Sequence, residues 1–205
     1  MAKASWCKVS PASGSGNGTV EISADPHTGR EERSTTVTAT NSSGTKPTAT
    51  VSVKQEAAPA KFTATAATVS IAAEGGEAKI TGKGNVSAIS FTDIDTGDDT
   101  PTLKVNSSAM SGWNGGSNKT LTGDPGATAE YDWEVSVTIP ANDTPEARSF
   151  KCTLKGEEVE TPIQITINQT AGASVISVTP TSVTLTAAGD AEEVSIKSND
   201  SWTIS

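Results

Sequence analysis

The chain has 205 residues, 34% of them hydrophobic and only 4% aromatic, and carries a formal net charge of −9. That length admits one large domain or two ordinary ones, with a thin core of Val, Ile, Leu and Ala. The acidic balance (pI near 4.6) repels polyanions, so nucleic acid is excluded as a partner, and no stretch approaches the ~20 apolar residues of a membrane-spanning helix.

Read in chain order, short runs alternate apolar with polar residues about every ten positions. They are GTVEISA (18–24), STTVTAT (34–40), TATVSVKQ (48–55), ATVSIAA (67–73), EAKITG (77–82), TLKVN (102–106), EVSVTIPA (134–141), SFKCTLKG (149–156), PIQITINQ (162–169), SVTLTAAG (182–189) and EEVSIKS (192–198). A period of two turns one face of each run inward, and the Gly, Asn, Asp and Pro between runs mark turns. No segment sustains a helical spacing. The fold class expected is all-β, built from immunoglobulin-like β-sandwiches.

The runs repeat. Thr65 and Thr179 lie 114 positions apart, and the same step carries Val69 to Val183, Ile71 to Leu185, Gly75 to Gly189, Ile80 to Val194 and Asn85 to Asn199. A second match joins RSTTVTATNSSGTKPTATVSVKQ to RSFKCTLKGEEVETPIQITINQ, taking Arg33 to Arg148 and Gln55 to Gln169. One whole repeat therefore runs over 60–171, with an insertion near 93–128. Residues 1–57 are the back half of a repeat and 174–205 the front half of another. Two sandwiches are expected, one of them split between the ends of the chain.

The N-terminal stretch, with its Trp, its VSPASGSGNG, its Arg-Ser strand opening and its closing VSVKQ, resembles the second half of a BACON domain. ISVTPTSVTLTAAGDAEEVSIKSNDSWTIS (176–205) resembles the first half, through its V-x-P, central Gly and SN-x-SW. The resemblance implies an immunoglobulin-like fold of the kind found in Bacteroidetes surface proteins, often beside glycoside hydrolases. Similar modules occur in virion proteins of crAss-like phages that infect such bacteria.

A 32-residue half cannot bury enough apolar surface to offset its chain entropy, so the halves are expected to pair and restore both ladder and core. The AGAS linker (171–174) spans at most ~14 Å, which favours completion by a neighbouring copy. Closure within one chain is the alternative. The assembly residues expected are Trp6, Val183, Leu185, Val194, Ile196 and Trp202. No basic segment followed by an apolar stretch opens the chain, so no signal peptide is expected, and the matching ends are read as natural termini.

Other sites are weaker. Trp6, Trp133 and Trp202 suit core positions. Trp113, in SGWNGGSN, is the ring expected to be exposed and to contact a sugar. Asp93, Asp95 and Asp98 form a weak calcium candidate, because the loop lacks a distal Glu and helical flanks. One histidine, His27, in a turn expected to be exposed, offers neither a His-rich metal site nor a convincing triad. Cys7 and Cys152 read as strand or core residues. No cofactor and no catalysis are expected. The function expected is structural: an auxiliary capsid protein on the virion surface of a Bacteroides-type phage, joined head-to-tail to its own copies and to the major capsid protein. The alternative is a host-glycan or mucin-binding module of a secreted or cell-surface protein.

Overall fold

The computed structural model describes residues 2–92, 101–113, 115 and 119–205. Two hairpins come first: β1 (Cys7–Ser10) with β2 (Glu21–Ala24), then β3 (Arg33–Thr40) with β4 (Thr48–Gln55). The middle repeat follows with β5 (Phe62–Ala64), β6 (Thr68–Ile71), β7 (Gly76–Gly84), β8 (Ala88–Thr92), β9 (Thr102–Val105), β10 (Ser108–Ala109) and β11 (Lys119–Thr120). A four-residue helix, α1 (Pro125–Thr128), precedes β12 (Tyr131–Ile139), β13 (Arg148–Gly156) and β14 (Ile163–Gln169). A last hairpin joins β15 (Ile176–Thr179) to β16 (Ser195–Ser198). Among the described residues the fold is all-β apart from α1.

Ten strands of the middle repeat form two five-stranded sheets, ordered β10-β9-β12-β7-β5 and β11-β8-β13-β14-β6. Alternation decides which side chains face inward: every second residue of β13, including Phe150, Cys152 and Leu154, is buried. Ile80, Leu103, Val135 and Val137 of one sheet share a core with Ile89, Leu154, Ile165 and Ile167 of the other. Trp133 stacks on Phe62 with ring centroids 4.9 Å apart. Both cysteines are free and buried, and burial pushes the Cys152 thiol up to about 11.

Elsewhere the alternating pattern over-predicts strands. Within 182–189 no strand forms, only Ser195–Ser198 of the run at 192–198 is strand, and 18–24 shortens to Glu21–Ala24. The cause is a missing partner. A strand is a strand only when a neighbour accepts its hydrogen bonds. The counterparts in the middle repeat, β6 and β7, find those neighbours in β14 and β12.

Two measurements check this packing. A Cβ added at Gly82 would lie 2.0 Å from the Thr63 carbonyl oxygen and 2.3 Å from the Trp133 ring. Gly82→Ala is therefore expected to lower the unfolding free energy of the middle sandwich by about 2–3 kcal/mol in a denaturant titration. The buried Cys152 thiol keeps its proton while the unfolded thiol ionises. Stability should consequently fall as pH rises from about 9 to 11, and Cys152→Ser should flatten that part of the profile.

Candidate functional site: two open flanks at the ends of the middle sandwich

The middle sandwich has two ends, fixed by β7. Phe62, where the chain comes in, pairs with Gly84 at one end of β7. At the other end Gly76 pairs with Ile139, and the following Pro140 accepts a hydrogen bond from Gln169, where the chain leaves. Nine residues of strand at ~3.3 Å each set these ends about 26 Å apart.

Residues 1–57 dock at the Gly84 end. Asn85 is the hub: its Oδ1 accepts from the Lys61 amide at 2.7 Å, and its Nδ2 donates to the carbonyls of Thr28 (2.9 Å) and Pro59 (3.0 Å). Arg30 locks the joint. It donates to both carboxylate oxygens of Asp124 at 2.6 and 2.7 Å and to the Asn85 carbonyl at 2.6 Å, with Glu158 at 3.3 Å. Burial works against its charge, but the Asp124 hydrogen bond and the Glu158 carboxylate outweigh it and raise its pKa further.

Residues 174–205 dock at the Gly76 end, and they dock the same way. Asn199 accepts from the Val175 amide at 2.9 Å and donates to the carbonyls of Asp143 (2.7 Å) and Ala173 (2.9 Å). Each partner sits 114 or 115 positions beyond its equivalent at the first joint. The Ala58 amide bonds the Gly29 carbonyl at 2.8 Å, and Gly172 bonds Thr144 at 2.8 Å. Within the back halves the likeness continues. Arg33 donates to the Gln55 side chain at 2.9 Å and to the Asp25 carbonyl at 2.9 Å; Arg148 donates to Gln169 at 2.8 Å and to Pro140 at 3.0 Å. One difference stands out: Pro145 occupies the place of Arg30, so the second joint lacks the guanidinium clamp.

Both halves are open. Ile80 is 1% exposed and its equivalent Val194 is 44% exposed; Ile165 is 1% exposed and its equivalent Val51 is 48% exposed. Of the assembly residues expected from sequence, Val183, Leu185 and Val194 lie exposed and Ile196 is half-buried. Trp202, expected in a core, is 49% exposed, and Trp6 is half-buried with the Arg33 guanidinium 4.6 Å above its ring. Among the described residues, no strand of 1–57 pairs with a strand of 174–205. Gly75 and Gly189 share a left-handed φ (75° and 82°) and the same amide bond three residues back. Around Gly75 a Cβ would strike the Ile139 carbonyl oxygen at 2.3 Å, whereas around Gly189 there is nothing within 4 Å. The space a second strand fills in the middle repeat is empty in the front half.

Two other expectations change. Trp113 is buried, 8% exposed, tilted against Phe91, and its Nε1–H donates to the Ile89 carbonyl at 2.7 Å. Gly and Asn neighbours signalled a loop, but the ring turns back into the core and offers no platform to a sugar. His27 is half-buried rather than exposed, with Nε2 2.7 Å from the Glu31 carbonyl oxygen. Asp93, Asp95 and Asp98 lie outside the described residues. Among the described residues, no group of three or more His, Cys, Asp or Glu side chains could hold a metal. One feature escaped the sequence altogether. A groove on the outer face of the β7-β12 sheet is lined by Thr65, Thr81 and Ser107 and by the ion pairs Lys83–Asp132 (2.7 Å) and Lys104–Glu134 (2.9 Å). Trp133 Nε1, beneath it, has no hydrogen-bond partner among the described residues.

Residues 1–56 match the family model for BACON, described as "Putative binding domain, N-terminal". The match covers the first 56 of 205 residues, so it describes the N-terminal segment's similarity to that family and leaves the rest of the chain unmatched. No curated protein matches the chain in sequence. Among solved structures, the NMR structure of a protein from Bacteroides thetaiotaomicron is 18% identical, with a TM-score of 0.29 over 57% of this chain and 90% of its own. An endo-fucoidan hydrolase of glycoside hydrolase family 107 is 14% identical, with a TM-score of 0.34 over 84% of this chain and 23% of its own. The chain thus spans less than a quarter of that hydrolase.

The joints are open to test. Asn85→Ala leaves a part-buried amide and two carbonyls without partners, which should cost about 1–2 kcal/mol and speed proteolysis of the 58–60 linker. Asn199→Ala, at the more exposed second joint, should cost about 1 kcal/mol and loosen only the C-terminal hairpin.

Proposed function

We propose that this chain is a non-enzymatic structural protein that assembles by strand complementation. The observation that carries the reading is the pair of half-sandwiches held at opposite ends of one finished sandwich by equivalent Asn joints. Each half presents an apolar face and unpaired ladder edges, and each buried Val, Leu or Trp would gain about 1.5–3 kcal/mol. A complementary half supplies both the core and the ladder, the mode of recognition known as β-augmentation.

Two settings suit such a protein. In the first it is an auxiliary protein on the capsid surface of a Bacteroides-type phage, linking copies of itself and touching the major capsid protein. A cohesive role asks for area and main-chain bonds rather than a reactive pocket. In the second it is a binding module at a bacterial surface that contacts host glycans, in keeping with the binding-domain description of the family matched by 1–56. For the second setting the groove beneath Lys83 and Lys104 is the better candidate, since Trp113 is buried and the groove sets the polar side chains of Thr65, Thr81 and Ser107 beside charged ones.

Assembly is checked by hydrodynamic size. The full chain should grow from monomer to multimers as concentration rises, and removal of 174–205 should abolish the growth while the middle sandwich stays folded. A monomer at every concentration would sink the reading. Glycan-array binding lost on Asp132→Ala would favour the cell-surface setting, and co-purification with a phage capsid the other.

A further inference from the structure

We infer that the occupant of each open half is a second copy of this chain, seated in the one register that the middle sandwich already displays. This rests on the complementation reading and adds the partner and its alignment.

The middle sandwich contains both halves of the repeat in contact, so it is a template. There β6 runs parallel to β14, with Thr68 opposite Thr166 and Ile71 opposite Gln169. Moved by the repeat offsets, Ser182 comes opposite Ser52 and Leu185 opposite Gln55, so the strandless 182–185 gains β4 as its partner. Likewise β12 pairs with β7, with Val135 opposite Ile80 and Ile139 opposite Gly76. The equivalents set Val20 opposite Val194 and Ala24 opposite Asp190. Val20 and Val194 are both exposed in the single chain and would cover each other. The end of β8, Phe91 opposite Leu154, translates into Ser205 beside Ala39, which gives the unpaired 201–205 a neighbour in β3. Every strand cut short in the flanks finds its missing partner in the opposite flank.

The partner is a different molecule because the two flanks are pinned about 26 Å apart at the two ends of the same strand. The linkers, 58–60 and 171–174, are short and tied by Asn85 and Asn199. Both joints share the asparagine side-chain bonds and the main-chain bond between equivalent residues, so each sandwich stands to the next in a similar relation. Such a heterologous contact propagates as an open string unless its rotation happens to close. One pair resists: Glu21 comes opposite Glu193, as Ser136 lies opposite Lys79. Like charges side by side weaken a ladder, so joining should strengthen with salt.

Cysteine pairing tests both identity and register. Asn168 lies opposite Ser70 on the exposed side of the β14-β6 ladder; the equivalents are Lys54 and Thr184, both exposed. Neighbouring strands lie within disulfide reach. Lys54→Cys chains mixed with Thr184→Cys chains under mild oxidation should give a covalent dimer. Lys54→Cys mixed with Ser182→Cys, one strand repeat out of register, should give at least tenfold less. The double variant Lys54→Cys/Thr184→Cys should give a ladder of covalent multimers. If it yields only an internally closed monomer, the flanks meet within one chain and the inference fails. If multimers form but both mixtures cross-link equally or not at all, the register is wrong while complementation survives. If no multimer forms and nothing cross-links, both fall together.

Discussion

A β-strand has two obligations that a helix does not. Its backbone groups must be met by another strand, and its inward side chains by another sheet. In this protein the middle repeat meets both within its own sequence, because β12 and β13 return to cover β7 and β8. The flanks have the same alternating residues and the same turn glycines but only half of the strands. The result is visible at matched positions, where Ile80 vanishes into the core and Val194 does not. The alternating residues are alike; what differs is whether a neighbouring strand lies against them.

Much of the architecture was legible in the sequence. The alternation of 77–82 and 149–156 marks β7 and β13, and the offset between Asn85 and Asn199 marks two joints that the hydrogen bonds show to be alike. The pattern erred at 182–189, where SVTLTAAG alternates as a strand should but has no ladder to join. Alternation reports which face a segment will bury, and says nothing of whether the burying partner is in the same molecule. Trp113 erred differently. Its polar, glycine-rich surroundings describe the backbone of a loop, whereas the indole is free to fold inward and spend its N–H on Ile89. The groove over Trp133 had no sequence signal, since its walls come from the three strands β7, β9 and β12, from Thr65 just beyond β5 and from the Ser107 turn.

The asparagine hubs explain how a string of such sandwiches can be read off one repeat. A carboxamide offers a donor and an acceptor on one short side chain. It can therefore tie the start of the first strand of its own unit to the β2–β3 loop, or the equivalent β12–β13 loop, of the preceding one. Asn85 does this for residues 1–57 and the middle repeat, and Asn199 for the middle repeat and the C-terminal hairpin. The match of 1–56 to a binding-domain family fits a segment whose apolar face is on offer.

The substitution of Pro145 for Arg30 makes the two joints mechanically unequal. The first carries a bidentate guanidinium–carboxylate grip on Asp124, reinforced by Glu158; the second has only the carboxamide and a few main-chain bonds. In any array of these copies, stiff and compliant links would then alternate along its length. Bending would gather at every other boundary, giving the thread a built-in articulation the length of two sandwiches.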